Sequence, residues 1–402
     1  MPRRRGLEPV LAKLARASRD VVFLYAPPWD AATRFSKHHL ARYLAERGHR
    51  VLYVEAPLTP LGIRRGAAFA RELRTTLRGP QLVAERLWAR RHFLPVPYHA
   101  VSRLTSQRAF NRVGQRWLAP LVRRDLARLG LHTPIVIAGL PHVVDMLPRL
   151  PRCCLIYHCA DDYASVRGFP STLPIVEAEL CRRSDLVITT SETLCEDRRQ
   201  FNPNTHWVPN GADLAHFAAP VSPAADLARL RRPVIGFVGG LSQWVDLELI
   251  AALAKARPEW TFALVGPVGT SVEALADLSN VQLLGPRPYV EVPAYLAGMD
   301  VGLIPFRHEP VTHHADPIKV YEYLAAGLPI VGTDLPALRR LAHVVRLADT
   351  PTEFEAQIAG ALADGRESGR AGRRAVAELH SWSSRFRHIE DLIEKACPSC
   401  AS

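Results

Sequence analysis

HHADPIKVYEYLAAGLPIVGTD, residues 313–334, reads in order as a loop, a helix, a turn and a buried strand. Asp316 is a suitable N-cap, and Pro317 suits the first helical position, where its missing N–H costs nothing. Leu324, Ala325 and Ala326 carry the helix to Gly327, a natural stop. Leu328 to Gly332 follows as a short apolar strand. Lys319 and Glu322 are three apart, so they share one helix face. The start of this helix, Pro317–Ile318–Lys319, exposes free N–H groups and a partial positive charge, which suits an anion. Lys319 adds a full charge. Glu322, one turn deeper, can accept hydrogen bonds from sugar hydroxyls. The pattern suits a site for a phosphate and a hydroxylated ring. It equally suits a buried helix–strand unit with a surface Lys–Glu pair.

Upstream, Asp20–Ala26 (DVVFLYA) is a buried-type strand and PPWDAATRF a loop. A helix opens at Ser36, taken as its N-cap, and runs to Gly48, followed by the strand RVLYVE at 50–55. That is a β-α-β unit, which implies a parallel sheet. Its first loop lacks the glycine fingerprint of dinucleotide sites. Arg34, Lys37 and His38 lie there, at the strand's carboxyl end, where open α/β sheets bind ligands. They are candidates to meet an anionic or hydroxylated acceptor.

CLIYHC at 154–159 is a further strand, ending in Ala160–Asp161–Asp162–Tyr163. His158, Asp161 and Asp162 at a strand end occupy the position of catalytic groups in such a sheet. The aspartates also suit a cap for the next segment. A strand near His206 ends in the turn Asn210–Gly211–Ala212–Asp213. Residues 214–232, rich in Ala and Pro, read as a linker. A second α/β half opens with PVIGFVGGLS, where Gly239 and Gly240 let backbone N–H groups approach a diphosphate. Val281–Leu284 leads to Gly285–Pro286–Arg287. A final helix is expected over Trp382–Lys395.

The chain has 402 residues, too many for one ordinary core, and 48% are hydrophobic against 22% charged. Two soluble domains are expected. No apolar run is long enough to span a bilayer. The arginine-interrupted N-terminus, MPRRRGLEPVLAKLARASRD, is not read as a signal peptide. The seven cysteines are scattered, which suggests a reducing cytoplasm. Cys397–Pro–Ser–Cys400 is a single CxxC without a second pair.

Of the formal charge of +12, residues 1–215 carry +15 and residues 216–402 carry −3. The first half is therefore expected to meet something anionic. No zinc-finger spacing, RNA-binding motif or basic tail supports nucleic acid. Residues 61–91 set Phe69, Leu73 and Leu77 among many arginines, the composition of a helix lying on an anionic bilayer.

Taken together, IYHCADDY, SDLVITTSETL, HWVPNGADLAHF, IGFVGGLSQWVDLELI, NVQLLGPRPYVEVPAYLAGMDVGLIPF and DPIKVYEYLAAGLPIVGTD resemble, in order and spacing, the GT-B glycosyltransferases. The resemblance is closest to the family-four (group 1) nucleotide-sugar-dependent enzymes. It implies two Rossmann-like domains facing a cleft, with an acceptor-binding domain at 1–215. The donor-binding domain would span 233–380, and a C-terminal helix, 382–396, would cross back onto the first domain.

The resemblance assigns Glu322 to the donor ribose, Gly239 and Gly240 to the donor phosphates, and Arg287 to the base segment. His158, Asp161 and Asp162 would lie near the reacting carbon, and Asn210 and Gly211 at the cleft edge. Two departures stand out. The family's first glutamate, eight positions before Glu322, is here His314, which would contact the sugar or leaving group. The base pair usual after the glycine turn is missing from SQWVDLELI, leaving Lys319 to neutralise phosphate.

The implied activity is transfer of a sugar from a nucleotide diphosphate sugar to a hydroxyl, in cell-envelope or exported polysaccharide or glycolipid assembly. No cofactor and no metal are expected: no Asp-x-Asp occurs in the chain. The implied partners are the donor, a lipid-linked acceptor and the anionic inner face of a bacterial membrane. The alternatives are a nucleotide-sugar 2-epimerase of the same architecture and a non-catalytic GT-B partner protein.

Overall fold

The computed structural model describes residues 19–31, 33–97, 107–166 and 168–401. The N-terminal stretch not read as a signal peptide falls outside them up to residue 18.

The first sheet comprises β1 (Asp20–Ala26), β2 (Arg50–Glu55), β3 (Gln81–Ala84), β4 (Leu87–Arg90), β5 (Ile135–Ala138), β6 (Cys154–Cys159), β7 (Leu186–Thr189) and β8 (Thr205–Trp207). Its order is β3-β4-β2-β1-β5-β6-β7-β8, parallel throughout except β3 against β4. Near-continuous apolar runs such as VVFLYA and CLIY fit this arrangement, because helices cover both faces. The helices are α1 (Ser36–Glu46), α2 (Ala67–Thr75), α3 (Arg108–Arg128), α4 (Leu173–Arg183) and α5 (Glu192–Arg199).

Two short helices, α6 (Leu214–Phe217) and α7 (Ala225–Ala228), lead to the second sheet. That sheet holds β9 (Val234–Val238), β10 (Thr261–Val265), β11 (Val281–Gly285), β12 (Val301–Ile304), β13 (Ile330–Thr333) and β14 (Arg346–Ala348). Its order is β11-β10-β9-β12-β13-β14, all parallel. Its helices are α8 (Leu247–Ala256), α9 (Val292–Gly298), α10 (Pro310–His313), α11 (Ile318–Ala325), α12 (Pro336–Arg339), α13 (Pro351–Asp364), α14 (Arg370–Leu379) and α15 (Trp382–Ala396).

Strand order reverses beside β1 in the first sheet and beside β9 in the second. At such points the helices leave to opposite faces and open a crevice at the strands' carboxyl ends. The helix α15 crosses back: its Trp382, Phe386, Ile389 and Ile393 share one apolar core with Leu40 and Leu44 of α1. Tyr43 Oη donates to Glu390 at 2.8 Å across the same contact.

Four expectations change. Residues 61–91 are not one amphipathic helix. The helix α2 stops at Thr75, and past Gly79, at φ +79°, and Pro80 the chain turns into the β3–β4 hairpin. Arg90 and Arg91 point inward, to Asp125 at 3.0 Å and Glu55 at 2.7 Å. Residues 214–232 are not a loose linker, since Phe217 and Leu227 are buried in the second core. The cysteines are not all scattered thiols: Cys153–Cys400 and Cys154–Cys397 form disulfides. The crossing helix delivers the CxxC to the start of β6, a pairing that sequence distance hides. Ser36 is the first residue of α1 and not its cap, which is Phe35.

Candidate functional site

Both crevices open into one cleft of about 640 Å³ between the sheets. On the second-domain side, β9 ends in Gly239 and Gly240. Gly239 has φ +151°, and a Cβ there would lie 3.1 Å from Lys319 Cε. Gly266, at the end of β10, is held closer still: a Cβ would sit 1.9 Å from Gly239 O. Gly239 thus brings the backbone against the lysine, and Gly266 lets the end of β10 pack on Gly239.

The helix α11 starts at Ile318, with Pro317 in the cap position and no side-chain cap. Asp316 is therefore not the expected cap. Its buried carboxylate instead accepts from Asn210 N at 2.7 Å and Tyr321 Oη at 2.8 Å, and its carbonyl accepts from Asn210 Nδ2 at 2.6 Å. The leading N–H groups of the helix are left for a ligand. Pro317, Ile318, Lys319 and Glu322 all line the cleft.

Lys319 Nζ lies 4.7 Å from the Phe306 ring centre and 5.2 Å from that of Phe237. Burial pushes its pKa down to about 8, and Glu322 acts against this. Burial pushes Glu322 up to about 7, with Lys319 opposing. Arg287 lines the cleft while donating to Asp226 at 2.9 Å.

The first-domain side is built from the end of β1, the start of α1, and the ends of β5 and β6. Arg34, Lys37, Asp161 and Asn210 line it. Lys37 is 3% exposed. It passes over Gly139, where a Cβ would lie 3.1 Å from Lys37 Cε and 2.7 Å from Tyr25 O. Burial lowers the Lys37 pKa to about 8, against the pull of Asp161. Burial raises Asp161 to about 6, with Lys37 opposing. Arg34 donates to Trp29 O at 2.5 Å.

Other candidates turn away from the cleft. His38 Nδ1 accepts from Phe35 N at 3.0 Å, so its Nε2–H donates to Pro28 O at 2.9 Å; the ring pins the β1–α1 loop. His158 is 3% exposed beneath the cleft floor, and burial holds its pKa well below the usual range. Asp162 accepts from Ser165 at 2.5 Å and faces His314 Nδ1 at 3.2 Å. Burial would raise Asp162, but these bonds hold it low. His314 also meets Asp197 at 3.2 Å through Nε2, so it ties the two domains together outside the cleft lining. His314, where the resemblance implies a glutamate, thus meets two aspartates. Gly211 packs on the chain at His380, where a Cβ would lie 2.5 Å from the carbonyl oxygen.

Three lining residues escape sequence reasoning. Tyr25, next to last in β1, has φ +57°, a strained conformation for a tyrosine. Tyr289 lines the cleft with its buried hydroxyl unpartnered and its ring stacked on His216 at 4.5 Å. Gly266 stood next to a strand end, the one signal that pointed to it.

Residues 232–364 match the family model of glycosyl transferases group 1. TuaH of Bacillus subtilis, provisionally named as a teichuronic acid biosynthesis glycosyltransferase, is 30% identical over 259 residues, 58% of this chain and 65% of its own length. A GDP-mannose-dependent alpha-mannosyltransferase of Mycolicibacterium smegmatis is 29% identical over 209 residues, 48% of this chain and 53% of its own. The chain thus spans less than two-thirds of either relative. Anabaena HepE, solved in complex with UDP-glucose, superposes with a TM-score of 0.66 at 16% identity, over 94% of this chain and 99% of its own. With two parallel sheets facing one cleft and a crossing C-terminal helix, the chain has the GT-B fold, and its residues 232–364 are similar to the group 1 glycosyl transferases.

Proposed function

We propose that the protein transfers a sugar from a nucleotide diphosphate sugar to a hydroxyl acceptor. One observation carries this: a single cleft sets Lys319, the start of α11 and Glu322 opposite Lys37 and Asp161. The glycine turn, the leading N–H groups and Lys319 are suited to the diphosphate, whose charge grows as it leaves. Glu322 is suited to the ribose hydroxyls. Arg287 and Tyr289 border the space left for the base. The solved neighbour's complex with UDP-glucose supports a nucleotide sugar as donor.

Of the two aspartates, only Asp161 lines the cleft, so it is the carboxylate placed to accept a proton from the acceptor hydroxyl. In the retaining alternative the donor's own phosphate takes that proton, and Asp161 with Lys37 orients the acceptor. The product anomer, read by NMR, separates the two. Titrating UDP, GDP, dTDP and ADP by thermal shift, with Glu322→Ala as control, tests the donor site. Unchanged melting with all four nucleotides would overturn it.

The acceptor side supports a lipid-linked substrate in cell-envelope polysaccharide or glycolipid assembly, in line with the name TuaH carries. Among the described residues no helix is long and apolar enough to cross a membrane. The outer face of α3 presents Arg112, Arg116, Arg123, Arg124 and Arg128 with Trp117, 56% exposed, and Val113, 58% exposed. Its one acid, Asp125, is buried. Such a face suits an anionic bilayer surface. Sedimentation with phosphatidylglycerol vesicles at low salt should carry the protein down, and high salt should release it. Failure to sediment at low salt would remove the membrane from the proposal.

A further inference from the structure

A second cavity, of about 580 Å³, lies on the far side of the domain junction. The residues after β8, the tail of α12, the end of α14 and the first turn of α15 enclose it. Arg340, Arg385, His343, His380, His388 and Trp207 line it, and none of its lining residues is a carboxylate. Arg340 stacks on Trp207, 4.6 Å from the ring centre. The nearest carboxylate to its guanidinium is Asp316, at 3.6 Å, with its side chain fully buried behind the wall. Arg385 contacts His380 Nδ1, while its own Nε is buried without a hydrogen-bond partner. Ser384, in the first turn of α15, brings the positive end of a 15-residue helix to the same space.

Asp316 lies beyond hydrogen-bond distance of Arg340 and Arg385 Nε has no partner, so both guanidinium groups keep donors for a further anion. The two, with three imidazoles and a helix start, match a group with several acceptor oxygens and about two negative charges. Trp207, Leu341 and Leu379 offer apolar surface for the rest of a small molecule. We propose that this hinge cavity is a second ligand site, for a small phosphorylated molecule held by Arg340 and Arg385. It does not depend on the donor assignment.

The site is coupled to the cleft through one side chain. Asp316 is among the residues at the cleft, and its fully buried carboxylate faces Arg340 and accepts from Asn210 N at the junction. A phosphate on Arg340 competes with Asp316 for the guanidinium. By linkage, occupancy of one cavity then changes affinity in the other.

The test is calorimetric titration of the full chain with inorganic pyrophosphate, comparing wild type, Arg340→Met and Lys319→Met. The expected result is two binding events in the wild type. Arg340→Met should weaken one of them at least tenfold and Lys319→Met the other. Loss of all binding in Lys319→Met, or a wild-type titration in Arg340→Met, would overturn the second site. Should Arg340→Met not fold, the exposed His343→Gln serves in its place. A weakening of about threefold at one site supports the proposal, and an unchanged isotherm refutes it.

Discussion

Replacing Lys37 by Met should make the protein more stable and nearly inactive. Lys37 is 3% exposed, and burial has moved its pKa from 10.5 down to about 8. Holding the ammonium in place near neutral pH therefore costs about 3 kcal/mol, at 1.36 kcal/mol per pKa unit. The folded-state value lies below the unfolded one. The penalty is thus complete below about pH 8 and vanishes as pH rises towards 10.5. Methionine has a similar length and no charge. Its substitution leaves Asp161 without its cation, so that carboxyl, already raised to about 6, moves further up and protonates near neutrality. That offsets about 1 kcal/mol, leaving a net gain of about 1–2 kcal/mol. For a domain of about 200 residues this is roughly 2–8 °C in melting temperature. Turnover should fall at least ~100-fold if the ammonium orients or neutralises substrate. Calorimetric melting from pH 6 to 10.5, paired with diphosphate-release rates, checks both halves. A Met variant that melts earlier than wild type below pH 8 while keeping full turnover would refute the assignment and make Lys37 a packing residue.

Three further outcomes follow from the same geometry. Glu322 is raised to about 7, so nucleotide affinity should fall as pH drops below that value and the carboxylate protonates. Glu322→Gln should bind about tenfold more weakly at pH 8 and show a flat profile, measured by calorimetry. Lys319→Ala should lower turnover by at least ~100-fold with no loss of melting temperature, because it removes a desolvated charge that Glu322 only partly compensates. Asp125, 2% exposed, lies 3.0 Å from Arg90 and 3.2 Å from His92. Asp125→Ala strands a buried arginine and should cost about 3–5 kcal/mol in urea unfolding. A loss under about 1 kcal/mol would mean that apolar contacts alone hold α3 to the sheet.

Much of the architecture was legible because its signals are local. Apolar runs of four to seven residues between helical patterns marked strands such as Asp20–Ala26 and Cys154–Cys159 at their actual bounds. What failed depends on contacts between distant segments. Asp316 looks like a helix cap by position, but its carboxylate is claimed by Asn210, 106 residues away. Cys154 and Cys397, 243 residues apart, pair only because α15 crosses back. Asp161 and Asp162 are neighbours in sequence and equivalent as letters. At the end of β6 adjacent side chains diverge, so one enters the cleft and the other joins His314 and Ser165. Within the candidate site, Lys319 and Glu322 were readable because one helix face carries both. Gly266 and Tyr289 were not, since their importance is a matter of what packs opposite.

Each wall of the cleft carries a lysine–carboxyl pair, beside Arg34 on one side and Arg287 on the other, and the two pairs are tuned alike. Lys319 and Lys37 are both lowered to about 8, while Glu322 and Asp161 are raised to about 7 and 6. In every case burial is the larger influence and the partner the smaller one. Each pair is therefore nearly neutral, yet its charges are poorly solvated. A diphosphate entering such a space meets cations that have already lost water, so the desolvation cost is met when the protein folds and not when the ligand arrives. A neutral ring between the walls gains little from either pair. Selectivity for a charged leaving group then follows from the electrostatics of the cleft. It also follows that neutralising either lysine alone should reduce discrimination between a nucleoside diphosphate and the bare nucleoside. Neutralising both lysines should reduce it further.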